Sequence, residues 1–278
     1  MSNACAERFN RTAEGYLRWW APVLAPASVR LVDRVGRMDP GLPSGKPRDV
    51  LDIGSGTGTG LFEAARRWPG ARLTGLDASV GMLDVARREQ GHLPESARER
   101  ISYVQADAAV IPASAASFDL VTTCFVLQQV PDRAPVLRDI HRVLRSGGIL
   151  SIYGWVKEKV PFAPEAELEN ALAETGVVRP PSKEVRSGHY GSLRGAAAEL
   201  RVAGFRRVAA RADALDHPWT IDDFVEYRTS TRDVELFESL DEPTRQRAIG
   251  ALRRRLDALT PDQLVYRPPV VSIVARKP

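Results

Sequence analysis

The stretch VLDIGSGTGTG, from Val50 to Gly60, decides the fold. An apolar, β-branched run ends at Asp52, and glycine then occupies every second position from Gly54 onward. Glycine tolerates positive φ and leaves the main chain open to a ligand, because it has no Cβ. The helical segment LFEAARRW follows and would direct its first backbone amides at that ligand. Strand, glycine loop and helix in this order predict a nucleotide-type site in an α/β sheet.

The spacing of the glycines separates the candidate ligands. A dinucleotide fingerprint requires G-x-G-x-x-G, but Thr59 stands where the third glycine would fall. A phosphate-binding P-loop ends in Gly-Lys-Ser/Thr, and no such ending follows Gly54. The pattern present is acid-x-Gly-x-Gly-x-Gly, formed by Asp52, Gly54, Gly56 and Gly58. It resembles the first motif of the class I S-adenosylmethionine-dependent methyltransferases.

Two acidic residues further along the chain fit this resemblance. Asp77 ends the predicted second strand, 25 residues after Asp52, where an acid can bind both hydroxyls of a ribose. In the family that this chain resembles, the acid after the third strand, here Asp107, contacts the adenine amino group. Phrases such as FDLV, VPD, RVL and GG recur in the family in the same order, here over residues 48–156. The resemblance implies S-adenosyl-L-methionine as the cofactor and S-adenosyl-L-homocysteine as its product.

The resemblance also implies a set of cofactor-binding residues along these strands and turns. They are Asp52, Gly54, Gly56, Gly58, Asp77, Ala78, Met82, Asp107, Ala108, Cys124 and Gln129. Ala78 stands where relatives often place a larger apolar residue against the adenine, so we expect Met82 to pack there. Gln128 and Gln129 stand where many relatives carry histidine. Glutamine can orient a substrate by hydrogen bonds, but it cannot take up a proton.

The alternation of strands and helices predicts an α/β fold with a doubly wound, Rossmann-like sheet. The resemblance implies seven strands, the last antiparallel, with helical lid insertions. A single domain is expected over 1–278. Its parts are an N-terminal helical lid at 1–35, a SAM-binding core at 36–156, an insertion at 157–190, the rest of the core at 191–215 and 269–278, and a helical lid insertion at 216–268. The last insertion would lie beside the cofactor, where it can select substrates.

Three residues are candidates for catalytic roles. Histidine is the natural base near neutral pH, and the chain has four. His189 and His217 fall in the two insertions, whereas His92 and His141 are expected to be structural or solvated. The resemblance places an N-terminal tyrosine, here Tyr16, near the reacting methyl group.

The aromatic residues of the lids predict a hydrophobic acceptor. The candidates for substrate binding are Trp20, Phe125, Gln128, Tyr190 and Trp219. We expect methyl transfer to a small aromatic or polyketide-like metabolite, with carbon methylation preferred over oxygen or nitrogen methylation. The resemblance is to enzymes of the ubiquinone/menaquinone-biosynthesis-like group and of antibiotic pathways. It implies a role in secondary metabolism, including antibiotic biosynthesis.

Three other functional classes are compatible with parts of the pattern. A protein with the same fold could catalyse a cyclisation, or another non-methylating reaction, or only bind a partner. A nicotinamide oxidoreductase would share the sheet, but the glycine spacing disfavours it. An RNA methyltransferase is disfavoured because the chain has no separate basic module, RNP-like strand or cysteine-histidine finger.

Composition narrows the partners and the compartment. The net charge of +4 and the isoelectric point near 9.3 come from arginines scattered along helices, so no nucleic-acid partner is expected. No apolar run reaches the ~18 residues of a membrane span, and the N-terminus has no apolar signal region. Two cysteines suit a reducing compartment. We expect a cytoplasmic monomer or homodimer that acts on a small molecule, with no membrane and no metal.

Overall fold

The computed structural model describes residues 3–37, 46–157, 160–179 and 188–278. Parts of two predicted segments, 38–45 in the core and 158–159 with 180–187 in the insertion, therefore lie outside the described residues.

A seven-stranded sheet forms the centre of the molecule. Its strands are β1 (Asp49–Ile53), β2 (Arg72–Asp77), β3 (Ile101–Gln105), β4 (Phe118–Cys124), β5 (Leu144–Trp155), β6 (Arg206–Ala214) and β9 (Pro269–Arg276), and a separate ladder pairs β7 (His217–Pro218) with β8 (Val265–Tyr266). The strand order is β3-β2-β1-β4-β5-β9-β6. Strand β9 is antiparallel to both its neighbours, and the remaining pairs of the large sheet are parallel. The predicted Rossmann-like sheet with an antiparallel last strand is confirmed.

Helices cover both faces of this sheet. They are α1 (Asn3–Gly15), α2 (Ala21–Arg37), α3 (Thr59–Arg67), α4 (Val80–Gln90), α5 (Glu95–Arg98), α6 (Arg133–Val143), α7 (Ala163–Glu174), α8 (Leu193–Val202), α9 (Ile221–Tyr227), α10 (Val234–Glu238) and α11 (Glu242–Asp257). The apolar core has two large parts, one under α2, α3 and α11 and the other under α6 and α8. None of the described helices is long and apolar enough to cross a membrane.

Strand β5 shows how the sheet divides this core. Successive side chains of a strand point to opposite faces, and Ile152 belongs to the α6/α8 side while Tyr153 belongs to the α2/α3 side. Because β1, β2, β4 and β5 are mutually parallel, their carboxyl ends meet at one edge. The loops that carry the glycine motif and the acidic residues therefore open at this edge.

Two π-helical turns lie where the N-terminal lid meets the 216–268 insertion. Residues Tyr16–Trp20 link α1 to α2, and the turn closes with a hydrogen bond from the Ala21 amide to the Tyr16 carbonyl. A second π turn, Arg228–Arg232, follows α9. Gly15 packs so closely on Thr231 of this second turn that any side chain at position 15 would overlap it. The N-terminal lid and the 216–268 insertion thus meet directly.

Candidate functional site

The glycine loop is shaped by contacts that only glycine permits at two positions. Gly54 follows β1 with φ +67°, and a Cβ there would overlap the Val126 side chain. Gly58 has φ +92°, and a Cβ there would meet the ring of Phe62. The Gly54 amide also donates to the carbonyl of Leu76 at 2.6 Å, which ties the loop to the end of β2. These two glycines are required by the fold itself.

Gly56 differs because the space beside it is open. Its φ is +53°, and the nearest atom to an added Cβ would be the Gly54 carbonyl oxygen at 4.0 Å. Its amide donates to Asp77 Oδ2 at 2.9 Å, and Asp77 Oδ1 accepts from the Ser79 amide at 2.9 Å. The Ala78 amide also hydrogen-bonds to this carboxylate, so three amide donors leave one of its four lone pairs free. An open main chain beside an acid at the end of β2 fits a ribose-bearing cofactor.

Two buried carboxyl groups lie at this edge without a cationic partner. Asp52 is 5% exposed and accepts a hydrogen bond from Thr122 Oγ1 at 2.7 Å. Burial raises the pKa of Asp52 to about 7, and burial also raises the pKa of Asp77. Within the described ranges, neither forms an ion pair with lysine or arginine. S-adenosylmethionine carries a sulfonium and an ammonium group, and positive charge beside these carboxyls would favour their ionised form.

Helix α1 lies across the start of α4, next to the glycine loop. Asn10 Oδ1 accepts hydrogen bonds from Ser79 Oγ at 2.7 Å and from the Gly81 amide at 3.0 Å. A Cβ at Gly81 would lie 2.7 Å from the Asn10 carbonyl oxygen, so the two helices touch at their backbones. Met82 is 2% exposed and packs with Ala13 of α1. The N-terminal lid therefore covers the helix that follows Asp77.

Tyr16 and Cys124 stay protonated at neutral pH. Burial raises the pKa of Tyr16 above its usual range, and the nearby groups Cys124, Asp77, Tyr227 and Asp52 oppose its ionisation further. Burial raises the pKa of Cys124 to about 12, and its Sγ lies 3.8 Å from a serine hydroxyl of α2. The Tyr16 side chain therefore belongs to the same neighbourhood as both buried carboxyls.

The other residues expected at the cofactor lie along the same edge of the sheet. Ala78 and Ala108 follow β2 and β3, and Ala108 is buried. Asp107 Oδ1 accepts from the Ala109 amide at 2.8 Å, which folds the loop after β3. Gln129 Oε1 lies 3.8 Å from Cys5 Sγ, in another contact with α1.

A chain of aromatic rings lies at the carboxyl ends of β4 and β5. We call it the aromatic cluster, and its members are Trp20, Phe125, Trp155, Phe162, Trp219, Tyr227 and Tyr266. Tyr227 is stacked between Trp20, with centroids 5.6 Å apart, and Trp219, at 5.1 Å. The ring centroid of Trp155 lies 4.3 Å from that of Phe125 and 6.4 Å from that of Trp20. Rings from the N-terminal lid, the strand ends and both insertions therefore form one surface.

The structure brings three of the expected substrate-binding residues, Trp20, Phe125 and Trp219, into this cluster. His217 lies at its border, with its ring 4.8 Å from Trp219 and its backbone paired with Tyr266. Burial lowers the pKa of His217, so the imidazole is neutral at pH 7. Among the described residues, no group of three or more histidine, cysteine or acidic side chains is placed to hold a metal ion.

Two other expected residues pack on the opposite face of the sheet. Tyr190 is 1% exposed in the α6/α8 core, and the Arg133 guanidinium lies 4.4 Å from its ring. Gln128 lies on the same face: a Cβ added at Gly154 would lie 2.8 Å from the Tyr190 ring and 3.7 Å from Gln128 Oε1. His189 immediately precedes Tyr190. The structure does not bring Tyr190 into the aromatic cluster.

Four residues of the site were not anticipated from the sequence. Trp155 ends β5 at the carboxyl edge, so its position in the predicted strand was a usable signal. Asn10 lies inside a helix, and Phe162 and Tyr266 lie far apart in the sequence. Nothing in their local pattern marks these three, because their partners come from distant segments.

Comparisons with known proteins agree with this geometry. Residues 51–152 match the Methyltransf_11 family model, a methyltransferase domain. Demethylmenaquinone methyltransferase of Lactococcus lactis is 37% identical over 100 residues, which are 36% of this chain and 38% of that protein. The chain matches curated relatives such as this one over 36% to 51% of the relatives' own lengths.

Two solved structures share the fold over most of the chain. Phosphoethanolamine N-methyltransferase 2 of Haemonchus contortus, solved with phosphomonomethylethanolamine and S-adenosylhomocysteine, has a TM-score of 0.51 and 20% identity, covering 90% of this chain and 52% of that one. The [4+2]-cyclase SpnF has a TM-score of 0.52 and 21% identity, covering 90% and 81%. The family match over residues 51–152, the glycine loop and the sheet order together support a class I S-adenosylmethionine-dependent methyltransferase, an enzyme class whose cofactor is S-adenosylmethionine.

Proposed function

We propose that this protein transfers the methyl group of S-adenosylmethionine to a small, apolar, aromatic or polyketide-like metabolite. The observation that carries this proposal is the aromatic cluster, which joins both lids beside the strand ends of the cofactor site. Aromatic rings offer a large apolar surface and pair with other rings at offset or edge-on geometry. A planar apolar acceptor is therefore the class of molecule that this surface suits best.

The protonation states near the site support carbon as the preferred acceptor atom over oxygen or nitrogen. The raised pKa values of Tyr16 and Cys124 make these groups hydrogen-bond donors rather than bases at pH 7. A hydroxyl acceptor benefits from a base during attack, whereas an electron-rich carbon attacks before its proton leaves. A carbon–methyl bond then forms as the sulfur–methyl bond breaks, and the proton of that carbon departs afterwards.

We assign roles to three residues on this basis. Tyr16 orients the acceptor near the reacting methyl group, and His217, neutral at pH 7, is the candidate proton acceptor. His189 is a second candidate because it lies in the 157–190 insertion, next to Gly188, which packs on the Gln128 main chain. The proposed setting is secondary metabolism, including antibiotic biosynthesis, in the cytoplasm, with a monomer or homodimer acting without nucleic acid.

A second candidate function is cyclisation without methyl transfer. It is favoured by the likeness in fold to the [4+2]-cyclase SpnF and by the burial of Phe125, Trp219 and Tyr227 in the aromatic cluster. In that reaction the cofactor would be bound but not consumed. The two candidates therefore differ in whether S-adenosylhomocysteine accumulates as the acceptor reacts.

The test is incubation of the purified protein with methyl-labelled S-adenosylmethionine and a panel of naphthols, hydroxyquinones and aromatic polyketides, read by mass spectrometry. We expect a labelled methyl group on carbon of the product and one S-adenosylhomocysteine per product. An acceptor rearranged at constant mass, with the cofactor intact, would support cyclisation instead. Label on oxygen or nitrogen would overturn the carbon preference and retain the methyltransferase.

A further inference from the structure

Phe125 holds a backbone conformation that bulky residues rarely adopt. It directly follows β4 and has φ +57°, in the left-handed region. Such a conformation at an aromatic residue is strained, and it persists only where neighbouring groups hold it. One such group is the Tyr153 carbonyl, which accepts from the Phe125 amide at 2.8 Å. The ring of Phe125 then lies 4.3 Å from Trp155, inside the aromatic cluster.

The side chain of Gln128 is the second group that holds this turn. Its Nε2 donates a hydrogen bond to the Phe125 carbonyl oxygen. Only the amide nitrogen can donate to a carbonyl, so the orientation of the amide is fixed and Oε1 points away. Gln128 is 8% exposed, and its Oε1 has no hydrogen-bond partner within the described ranges. Gly188 packs directly on the Gln128 main chain, where any side chain would overlap it.

The two ends of this arrangement lie on opposite faces of the sheet. Gln128 Oε1 lies beside Gly154, whereas the Phe125 ring lies on Trp155. Gly154 and Trp155 are consecutive residues of β5, and consecutive positions of a strand face opposite sides. Gln128 therefore reaches the aromatic cluster through the backbone of Phe125 and not with its own side chain.

We propose that Gln128 is a positioning residue that fixes the Phe125 ring as one side of the acceptor-binding surface. The proposal rests on the proposed function for its consequence in catalysis, but its structural part is independent of any acceptor. Without the amide donor, Phe125 relaxes toward negative φ and its ring leaves Trp155. The acceptor surface then loses one side, whereas Asp77 keeps its hydrogen bonds from the Gly56 and Ser79 amides.

The structural part is tested by fluorine NMR of the full chain labelled with 5-fluorotryptophan. Trp155→Phe assigns the Trp155 resonance among the five tryptophans of the chain. Gln128→Met has a similar volume and no donor, so we expect it to shift the Trp155 resonance. Gln90→Met is the matched control, because Gln90 Nε2 also donates to backbone carbonyls, of Arg98 and Ile101, in another part of the fold. A Trp155 resonance that is unchanged in Gln128→Met overturns the proposal.

A second variant keeps the proposal testable if Gln128→Met does not fold. In Gln128→Glu the protonated carboxyl can donate to the Phe125 carbonyl, and the carboxylate cannot. The Trp155 resonance should therefore move with pH in this variant, matching the wild type at the acidic end. A resonance that does not titrate and differs from that of the wild type, with a folded spectrum, contradicts the hydrogen bond as the cause.

The catalytic consequence is tested with the best acceptor from the panel described above. Gln128→Met should raise the KM for that acceptor by ~10-fold, the equivalent of one lost hydrogen bond. The dissociation constant of S-adenosylhomocysteine, by calorimetry, should change less than this KM, because Gly56 and Asp77 lie outside the turn that Gln128 holds. In a Phe125→Ala background, Gln128→Met should have no further effect on KM. A full additional effect there would show that Gln128 contacts the acceptor itself, and would overturn the positioning role.

Failure of the proposed function can be distinguished from failure of the Gln128 proposal. If no acceptor of the panel is methylated by the wild type, the methyl-transfer proposal fails for this class. The Trp155 resonance still decides whether Gln128 positions Phe125.

Discussion

The indole of Trp20 and the phenol ring of Tyr227 stack with centroids 5.6 Å apart and planes inclined by 8°. The first residue belongs to the N-terminal lid and the second to the 216–268 insertion. Trp219 covers the other side of Tyr227, inclined by 23°. One phenol ring thus joins two lids that are more than 180 residues apart in the chain.

Truncation of this ring should separate the lids. Tyr227 is 9% exposed, and removing a buried aromatic ring costs ~3–5 kcal/mol of stability. We expect Tyr227→Ala to lose stability in that range in urea titration. Tyr227→Phe keeps both stacked contacts, so it should stay within ~1 kcal/mol of the wild type. Equal losses in the two variants would mean that the hydroxyl, and not the stack, holds the lids.

Removal of the Asp77 carboxylate should weaken cofactor binding strongly. Asp77 organises the loop through the Gly56 amide and faces the space expected to hold the ribose. Hydrogen bonds to a charged group contribute ~1.5–3 kcal/mol each, so Asp77→Ala should lower the affinity for S-adenosylhomocysteine by ~10–100-fold. Calorimetry is the measurement. Asp84→Ala removes an exposed acid of the following helix and should leave the affinity unchanged. Unchanged affinity in Asp77→Ala would overturn the cofactor-site assignment.

Alanine at two glycines of the loop should have different effects. A Cβ at Gly54 overlaps Val126, so Gly54→Ala should unfold the loop or destabilise the whole protein. A Cβ at Gly56 meets only the Gly54 carbonyl oxygen at 4.0 Å. Gly56→Ala should therefore fold, with a loss of ~1–2 kcal/mol from the left-handed backbone. Its thermal unfolding should stay cooperative while S-adenosylhomocysteine no longer raises its Tm. A normal Tm increase with the cofactor in Gly56→Ala would contradict an approach of the cofactor at this residue.

Asp52 should make the cofactor-free protein less stable as the pH rises. Burial raises its pKa to about 7 in the folded state, against ~4 in an unfolded chain. Between these two pKa values, Asp52 binds a proton more strongly in the folded state than in the unfolded chain. Its contribution to the free energy of unfolding is therefore fully present below pH ~4 and is lost as the pH rises through 7. Asp52→Asn has the same shape and no charge. The difference in the free energy of unfolding between Asp52→Asn and the wild type should grow in favour of the variant by on the order of 2–4 kcal/mol between pH 5 and pH 8.

Denaturant titrations of the wild type and Asp52→Asn at several pH values provide the measurement. The pKa of Asp77 is raised by burial as well, so a residual slope should persist in the variant. Parallel pH profiles for the two proteins would show that Asp52 is not the source of the slope.

The arrangement of the glycine loop with Asp52 and Asp77 could be predicted because its signals are local. The glycine spacing, Asp52 and Asp77 follow one another in two strand–loop units, and parallel strands bring their ends together without further information. The helical nature of the 216–268 insertion is also visible in its sequence, and α9, α10 and α11 lie there.

The aromatic cluster that we propose as the acceptor surface could be predicted only in part, because its contacts are long-range. The aromatic residues in the lids marked Trp20 and Trp219, but nothing near Phe162 or Tyr266 indicates their contact at 5.1 Å. The left-handed backbone at Phe125 carries no sequence signal, since such a conformation normally selects glycine or asparagine.

The π turn at Tyr16–Trp20 makes the length of the N-terminal segment as important as its composition. Upstream of the turn, Asn10 binds the start of α4, and downstream of it Trp20 stacks on Tyr227. A one-residue insertion or deletion in the α-helical residues between Asn10 and this turn would rotate one side against the other by about 100°. The two contacts could then no longer form together. Insertions and deletions in this short segment should therefore be more damaging than many substitutions, and relatives that keep both contacts should keep its length.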